Sequence, residues 1–224
     1  MTARTAVAWL PALAWAAALA ASSVHAAPLE VRVLDGDGQP VPGAVVSLHS
    51  DATRPVPGRS VMDQRNTAFE PGVLVVQAGT AVSFPNSDTV RHQVYSFSPA
   101  KPFELPLYSG TPPEPVVFDQ PGIVVVGCNI HDWMIGWIVV LDTPLHARSG
   151  ADGKARLEAP EGDYQLRAWH PRLEGEPATA DVRVAPAAPA VEVGLALGPP
   201  PPDRRGNDRL RALQDRLRSL RQED

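Results

Sequence analysis

Three residues that can bind a soft metal ion lie within seven positions of the sequence, where Cys128, His131 and Met134 are spaced Cys-x2-His-x2-Met. A thiolate, an imidazole and a thioether suit copper, and a trigonal copper site uses two histidines, one cysteine and a weak axial methionine. The second histidine must come from another strand, because one short loop would leave the metal at the surface. His92, which opens a predicted strand, is the best candidate.

The first 26 residues predict a signal peptide. Arg4 supplies a positive start, residues 6–21 form an apolar run, and Val24-His25-Ala26 is typical of a cleavage site. The apolar run is short for a membrane-spanning helix, and no later run approaches the length that a span needs. We therefore expect a periplasmic or otherwise exported protein that begins at Ala27 and has no transmembrane segment after cleavage.

Export changes the interpretation of Cys128, which is the single cysteine of the chain. In an oxidising compartment cysteines usually pair, so a lone one forms an intermolecular bridge, remains a reactive thiol or binds a metal. The neighbouring His131 and Met134 favour the metal ligand.

The predicted ligands lie in residues 61–142, which have their own strand pattern. Strands are predicted at 73–76, 81–84, 92–97, 116–118, 123–126 and 135–141. Residues 99–115 are rich in proline and predict a long irregular connection. Within it, Glu104 and Tyr108 are candidates for groups that support the ligands.

Residues 27–60 and 143–198 predict a second β-sandwich, which residues 61–142 interrupt. The stretch V-x-D-x-x-G-x-P-V-P-G-A-x-V begins at Val33, and P-x-G-x-Y-x-L begins at Pro160. Both stretches resemble the carboxypeptidase-regulatory or prealbumin-like domains. Loop tips tolerate such an insertion because few buried backbone bonds are lost there.

A second resemblance is carried by the interrupting segment. Its residues are Gly79-Thr80-x-Val82-x-Phe84-x-Asn86, then His92, then Pro121-Gly122, then Cys128-x2-His131-x2-Met134. This pattern resembles the cupredoxins, the small blue-copper proteins related to plastocyanin, and its short ligand spacing is most similar to that of amicyanin. The resemblance implies a Greek-key β-sandwich with His92, Cys128 and His131 as equatorial copper ligands and Met134 as the axial one. Gln93 departs from the asparagine that often follows the first ligand histidine.

Residues 199–224 differ from the rest of the chain. A polyproline spacer is followed by an arginine-rich stretch in which leucines recur with heptad spacing, at positions 210, 213, 217 and 220. The pattern predicts a short amphipathic helix. Self-association or partner docking through residues 203–224, lipid binding and a solvated helix all remain open.

The remaining sequence features favour a carrier over an enzyme. The chain lacks Gly-x-Ser-x-Gly, His-Glu-x-x-His and a phosphate-binding glycine loop. A formal charge of −5 predicts no large basic surface for nucleic acid. His49, His146 and His170 have no thiol or carboxylate cluster at ligand spacing, so we expect surface or structural roles for them.

The sequence thus predicts an all-β, exported type 1 copper protein that binds one copper ion and carries single electrons between redox partner proteins. The alternative is a copper-binding or copper-resistance protein that sequesters copper at the same site. A purely structural sandwich is a third hypothesis.

Overall fold

The computed structural model describes residues 26–112 and 114–200. The predicted signal peptide, apart from Ala26, and the predicted helix within 203–224 lie outside these residues. No helix that is long and apolar enough to span a membrane occurs in the described part of the chain.

The prediction of an all-β fold is confirmed. The strands are β1 Ala26–Asp35, β2 Val45–His49, β3 Arg59–Val61, β4 Asp63–Arg65, β5 Ala68–Glu70, β6 Val73–Gln77, β7 Thr80–Ser83, β8 His92–Ser96, β9 Phe103–Tyr108, β10 Val116–Phe118, β11 Gly122–Gly127, β12 Ile135–Leu141, β13 His146–Arg148, β14 Lys154–Pro160, β15 Gly162–Trp169, β16 Ala178–Val184 and β17 Val191–Leu195.

Strands from the two ends of the described chain form one pair of sheets, which we call the terminal sandwich. Its sheets have the orders β14-β1-β17 and β13-β2-β15-β16. Apolar residues alternate with polar ones along β1, so that Leu29, Val31 and Val33 are buried while the residues between them face water. They pack in one core with Leu48 of β2 and Leu166 of β15. The two sheets therefore face each other across a shared apolar layer.

Strands β3–β12 form the central sandwich. Its larger sheet has the order β6-β12-β11-β8-β9, a smaller one has the order β10-β7-β3, and β4 and β5 form a hairpin. Phe84, Phe118 and Ile138 are among the largest fully or almost fully buried side chains of its core. Cys128 and Met134 belong to the same core. The predicted ligand loop is thus anchored on the apolar interior of this sandwich.

A third, smaller apolar cluster lies where the two sandwiches meet. Val45 of β2 packs with Val139 and Leu141 of β12, and Trp169 of β15 packs against them. In β2, Val46 and Leu48 belong to the terminal core, so Val45, Ser47 and His49 lie on the opposite face, toward the central sandwich. The likeness to prealbumin and the domain boundaries at 60 and 143 stay predictions.

The predicted irregular connection at residues 99–115 is wrong in part, because it contains β9. This strand pairs with β8 in antiparallel register, with an irregularity between His92 and Val94. Pro106 lies within β9 at this irregularity. The strand lies at the edge of its sheet, where a residue without an N–H is tolerated. Proline content therefore predicted a break where the chain forms an edge strand.

Candidate metal centre

The ends of three neighbouring strands position the predicted ligands. His92 is the first residue of β8, and Cys128 directly follows Gly127, the last residue of β11. Gly127 pairs with Tyr95 of β8 on one side and with Ile135 of β12 on the other. Because all three strands are hydrogen-bonded in one sheet, the loop after β11 is held beside the start of β8.

The loop between β11 and β12 is closed by its own backbone. The N–H of His131 donates to the carbonyl of Cys128 at 3.3 Å, and the N–H of Met134 donates to the carbonyl of His131 at 2.8 Å. The N–H of Cys128 donates to the carbonyl of Met134 at 3.3 Å. Gly127 lets the Tyr95 ring pack closely at the base of the loop, because a Cβ there would lie 3.0 Å from that ring and would have to displace it.

Three predicted ligands converge on one point. The Nδ1 atoms of His92 and His131 are 3.1 Å apart, and the Sγ of Cys128 lies 3.8 Å from each of them. The point equidistant from the three atoms lies about 2.1 Å from each, close to the ~2.0–2.3 Å at which nitrogen and sulfur ligands bind a metal such as zinc. The donor set and its dimensions therefore fit a trigonal metal ion.

The four predicted ligands differ in their access to solvent. His92, Cys128 and Met134 are buried, at 0%, 2% and 1% exposure respectively, whereas His131 is partly exposed. The structure places Met134 in the same core as Cys128 and at the end of the same closed loop. Its role as the axial ligand stays a prediction. His131 is the cluster member with the most access to water.

Asp88 determines which nitrogen of His92 faces the cluster. Its Oδ2 lies 2.9 Å from Nε2 of His92. A carboxylate accepts a hydrogen bond, so the Nε2 of a neutral His92 carries the proton and its Nδ1 presents a lone pair toward Cys128. A carboxylate on the outer nitrogen of a ligand histidine fixes the tautomer and the orientation of the ring. Asp88 is therefore a positioning residue of this centre.

The same carboxylate holds the turn between β4 and β5. Oδ2 of Asp88 accepts a hydrogen bond of 2.8 Å from the N–H of Thr67. Asn66 and Thr67 have φ angles of 51° and 54°, and a positive φ is unfavourable for a β-branched residue such as threonine. The turn is thus kept close to the cluster, where Nε1 of Trp133 lies 3.5 Å from Oγ1 of Thr67.

Two pKa shifts at the centre favour its metal-binding protonation states. Burial raises the pKa of Asp88, but the hydrogen bonds from Thr67 and His92 outweigh burial and hold this pKa below its usual value. Burial lowers the pKa of His131, and the nearby His92 lowers it further, against an opposing effect of Asp88. An ionised Asp88 can accept the hydrogen bond that orients His92, and a neutral His131 can offer a lone pair to a metal ion.

The two predicted supporting residues lie on different faces of the sheet, and only Tyr108 pairs across the strands with His92. Gln93 donates from Nε2 to Oε1 of Glu104 at 2.6 Å, on the face of β8 opposite the buried His92. The prediction that Glu104 supports a ligand is therefore wrong, because it faces outward. Tyr108 lies inside instead: its hydroxyl donates to the carbonyl of Phe84 at 2.6 Å and accepts from Gln64. Burial raises the pKa of Tyr108 to about 12.

The sequence interpretation missed Asp88 and Thr67. Asp88 precedes His92 by four residues, and an acidic residue so close to a candidate ligand was an available signal. Thr67 lies 21 residues before Asp88, and only the fold brings them together.

Comparison with known proteins gives partial similarities. No protein-family model matches the chain, and no curated protein matches it. Among solved structures, a purple cupredoxin from Nitrosopumilus maritimus is 23% identical, with a TM-score of 0.33, over 37% of this chain and 99% of that one. A reduced amicyanin variant is 21% identical, with a TM-score of 0.34, over 42% of this chain and 99% of that one. The copper-containing nitrite reductase of Thermus scotoductus SA-01 is 26% identical, with a TM-score of 0.35, over 49% of this chain and 28% of that one.

Proposed function

We propose that this chain is an exported type 1 copper protein that carries single electrons between partner proteins. The observation that supports the proposal is the triangle formed by Cys128 Sγ and the Nδ1 atoms of His92 and His131, with sides of 3.8, 3.8 and 3.1 Å. A thiolate with two imidazoles is a donor set suited to copper. These three atoms would hold one copper ion, and Met134 would be its fourth, weaker ligand.

The bound copper ion would supply a one-electron couple between its Cu(I) and Cu(II) states. The residues of the chain would hold the donor atoms in one arrangement for both states. Strand pairing fixes the backbone at His92 and at Gly127, directly before Cys128, and Asp88 fixes the ring of His92. A site whose ligands keep one arrangement in both oxidation states needs little rearrangement when an electron is gained or lost. We therefore propose a carrier at this centre.

His131 is proposed as the route by which electrons enter and leave. Its ring is partly exposed, and its centroid lies 5.3 Å from that of Trp133. Trp133 and Ile130 expose apolar surface in the same loop, at 38% and 51%. Exposed apolar residues around a partly exposed ligand suit brief docking of a redox partner.

The absorption spectrum of the Cu(II)-loaded protein tests this function. We expect an intense visible band from charge transfer between the Cys128 thiolate and copper, and a reversible one-electron couple in voltammetry. Cys128→Ser removes the thiolate and should remove the band. Ser83→Ala, a matched change on β7 in the same sandwich, should keep it. A colourless wild-type protein in excess Cu(II) would contradict the proposal.

Voltammetry also separates electron transfer from sequestration. Copper sequestration would use the same ligands, but it requires no reversible cycling. If the loaded protein binds copper tightly and shows no reversible couple, the sequestration hypothesis replaces the carrier hypothesis.

The axial role of Met134 has a matched control within the same core. Met62 and Met134 are both buried there, at 0% and 1% exposure. We expect Met134→Leu to retain copper and to shift the reduction potential, whereas Met62→Leu should leave the potential unchanged. Equal potentials in the two variants would remove Met134 from the site.

A further inference from the structure

A second histidine is held between a hydroxyl and a carboxylate where the two sandwiches meet. The sequence predicts a surface or structural role for His49, and this side chain is 9% exposed. Its Nε2 lies 2.7 Å from Oγ of Ser47, and its Nδ1 lies 2.6 Å from Oδ1 of Asp142. The three side chains form a continuous hydrogen-bonded chain. Nothing in the copper proposal uses them.

The order of the bonds determines the direction of proton transfer. Asp142 accepts from Nδ1 of His49, so the neutral ring carries its proton there and presents a lone pair at Nε2. The hydroxyl of Ser47 therefore donates to Nε2. A serine that donates to a histidine, which a carboxylate orients from its other nitrogen, is the arrangement of an activated nucleophile.

The electrostatic surroundings keep His49 able to accept a proton. Burial is the largest effect and lowers its pKa, Asp142 raises the pKa, and Arg167 lowers it. The net shift is downward, so the imidazole is neutral near neutral pH. A neutral imidazole is the state that a general base requires.

The hydrogen-bonded chain lines a cleft between the sandwiches. Ser47, His49 and Asp142 border a cavity of ≈ 160 Å³, and Val45, Val139 and Trp169 supply much of its apolar wall. An engineered apolar cavity of ~150 Å³ holds a benzene ring, so this volume suits a small acyl or aryl group. Interfaces between domains are a common place for ligand sites.

Arg167 adds a positive charge beside the hydroxyl. It pairs directly with Ser47 across β2 and β15, so the two side chains lie on the same face of the sheet, and it lines the same cleft. A guanidinium in this position can stabilise the negative charge that develops on a carbonyl oxygen under attack.

We propose that Ser47, His49 and Asp142 form a second active site, which hydrolyses esters of small carboxylic acids. Oγ of Ser47 attacks the ester carbonyl carbon as its proton moves to Nε2 of His49. The bond to the leaving alcohol then breaks, and the alcohol oxygen takes that proton. A water molecule attacks the acyl group on Ser47, with His49 again as the base, and releases the acid and the free serine. Asp142 orients the imidazole throughout.

Two measurements on the full chain test this proposal. With p-nitrophenyl butyrate, we expect turnover above buffer that falls to the buffer rate in Ser47→Ala, because removal of the nucleophile of such a triad costs about 10⁶-fold in kcat. A fluorophosphonate probe should lose fluoride and add its phosphonyl group to Ser47, which mass spectrometry of the digested protein locates. Ser83→Ala should retain full turnover and labelling.

The copper site provides an independent control. Cys128→Ser should lose the charge-transfer band and keep ester hydrolysis, so failure of one proposal is distinguished from failure of the other. No wild-type turnover above buffer, or no probe on Ser47 of the folded wild-type chain, would overturn the second active site. The three residues would then be a structural link between the sandwiches.

Discussion

The central sandwich and the junction between the two sandwiches each hold a histidine against an aspartate, but the carboxylate contacts a different ring nitrogen in each pair. In the central sandwich Asp88 binds Nε2 of His92 and leaves Nδ1 facing the thiol of Cys128. Where the two sandwiches meet, the carboxylate of Asp142, directly after β12, binds Nδ1 of His49 on β2 and leaves Nε2 facing the hydroxyl of Ser47.

The third group decides what each pair can do. At His92 a second imidazole and a soft sulfur converge with the free nitrogen, so the lone pairs point at a common centre and suit a metal ion. At His49 the free nitrogen faces a hydroxyl that carries a proton, which suits proton transfer. In both sites a carboxylate therefore orients the imidazole. The sites differ in what the free ring nitrogen faces, which is two further metal-binding atoms at His92 and a hydroxyl at His49.

Removal of the sulfur should have the largest effect and should be confined to one site. We expect Cys128→Ser to abolish the visible charge-transfer band, because no other thiol exists in the chain. Absorption spectra of the two Cu(II)-loaded proteins measure this. A band that survives the substitution would show that copper binds elsewhere.

Core truncations should reveal whether the sandwiches unfold separately. Phe118 and Leu166 are both 0% exposed, in the central and terminal cores respectively. We expect Phe118→Ala to lower the free energy of unfolding by about 3–5 kcal/mol and Leu166→Ala by about 2–5 kcal/mol. Because the shared apolar cluster is small, only Phe118→Ala should shift loss of the copper band to lower urea. If both variants lose the band at equally lowered urea concentrations, the two sandwiches unfold as one cooperative unit.

Exchange of each aspartate for asparagine should act at its own histidine. We expect Asp88→Asn to weaken copper binding by about 10–100-fold, which is typical for loss of a partner of a ligand histidine. Asp142→Asn should leave copper affinity unchanged and reduce ester hydrolysis. Competition with a chromophoric chelator measures the affinity. If the two substitutions weaken copper binding equally, Asp88 has no special role in orienting His92.

The smallest expected effect is on the pH dependence of stability. Burial holds the pKa of His49 below the 6.5 of an unfolded histidine, so the unfolded chain binds more protons in the interval between the two values. Stability should therefore be complete above pH 6.5 and should fall as the pH drops through the folded pKa. His49→Gln should flatten this fall. The urea midpoints of the copper-free wild-type and His49→Gln proteins, measured at pH 5 and pH 7.5, test this expectation. If the midpoint changes equally between the two pH values in both proteins, the expectation is contradicted.

The sequence predicted the part of the metal centre that is local. Cys128, His131 and Met134 lie in one loop, so their spacing alone predicted that they bind one metal ion, and the alternating pattern from His92 predicted the strand that brings this histidine beside Cys128 and His131. The role of Met134 stays a prediction. The all-β class followed from the same alternation. These features depend on neighbours a few residues apart, which a sequence displays directly.

Features that depend on packing were not predicted. Asp142 lies 93 residues after His49, so their bond exists only because the sandwiches meet at β2 and β12. Thr67 reaches Asp88 through a turn whose positive φ angles have no glycine to indicate them. Strand β9 contains Pro106, and proline argues against a strand. The strand nevertheless forms because it lies at a sheet edge, where a residue without an N–H is tolerated.

A crystal structure of the copper-loaded protein, with anomalous data at the copper edge, tests the central claim most directly. We predict one anomalous peak within bonding distance of Cys128 Sγ and of the Nδ1 atoms of His92 and His131. A peak at any other group of residues, or none between these three atoms in crystals grown with excess copper, would contradict the account.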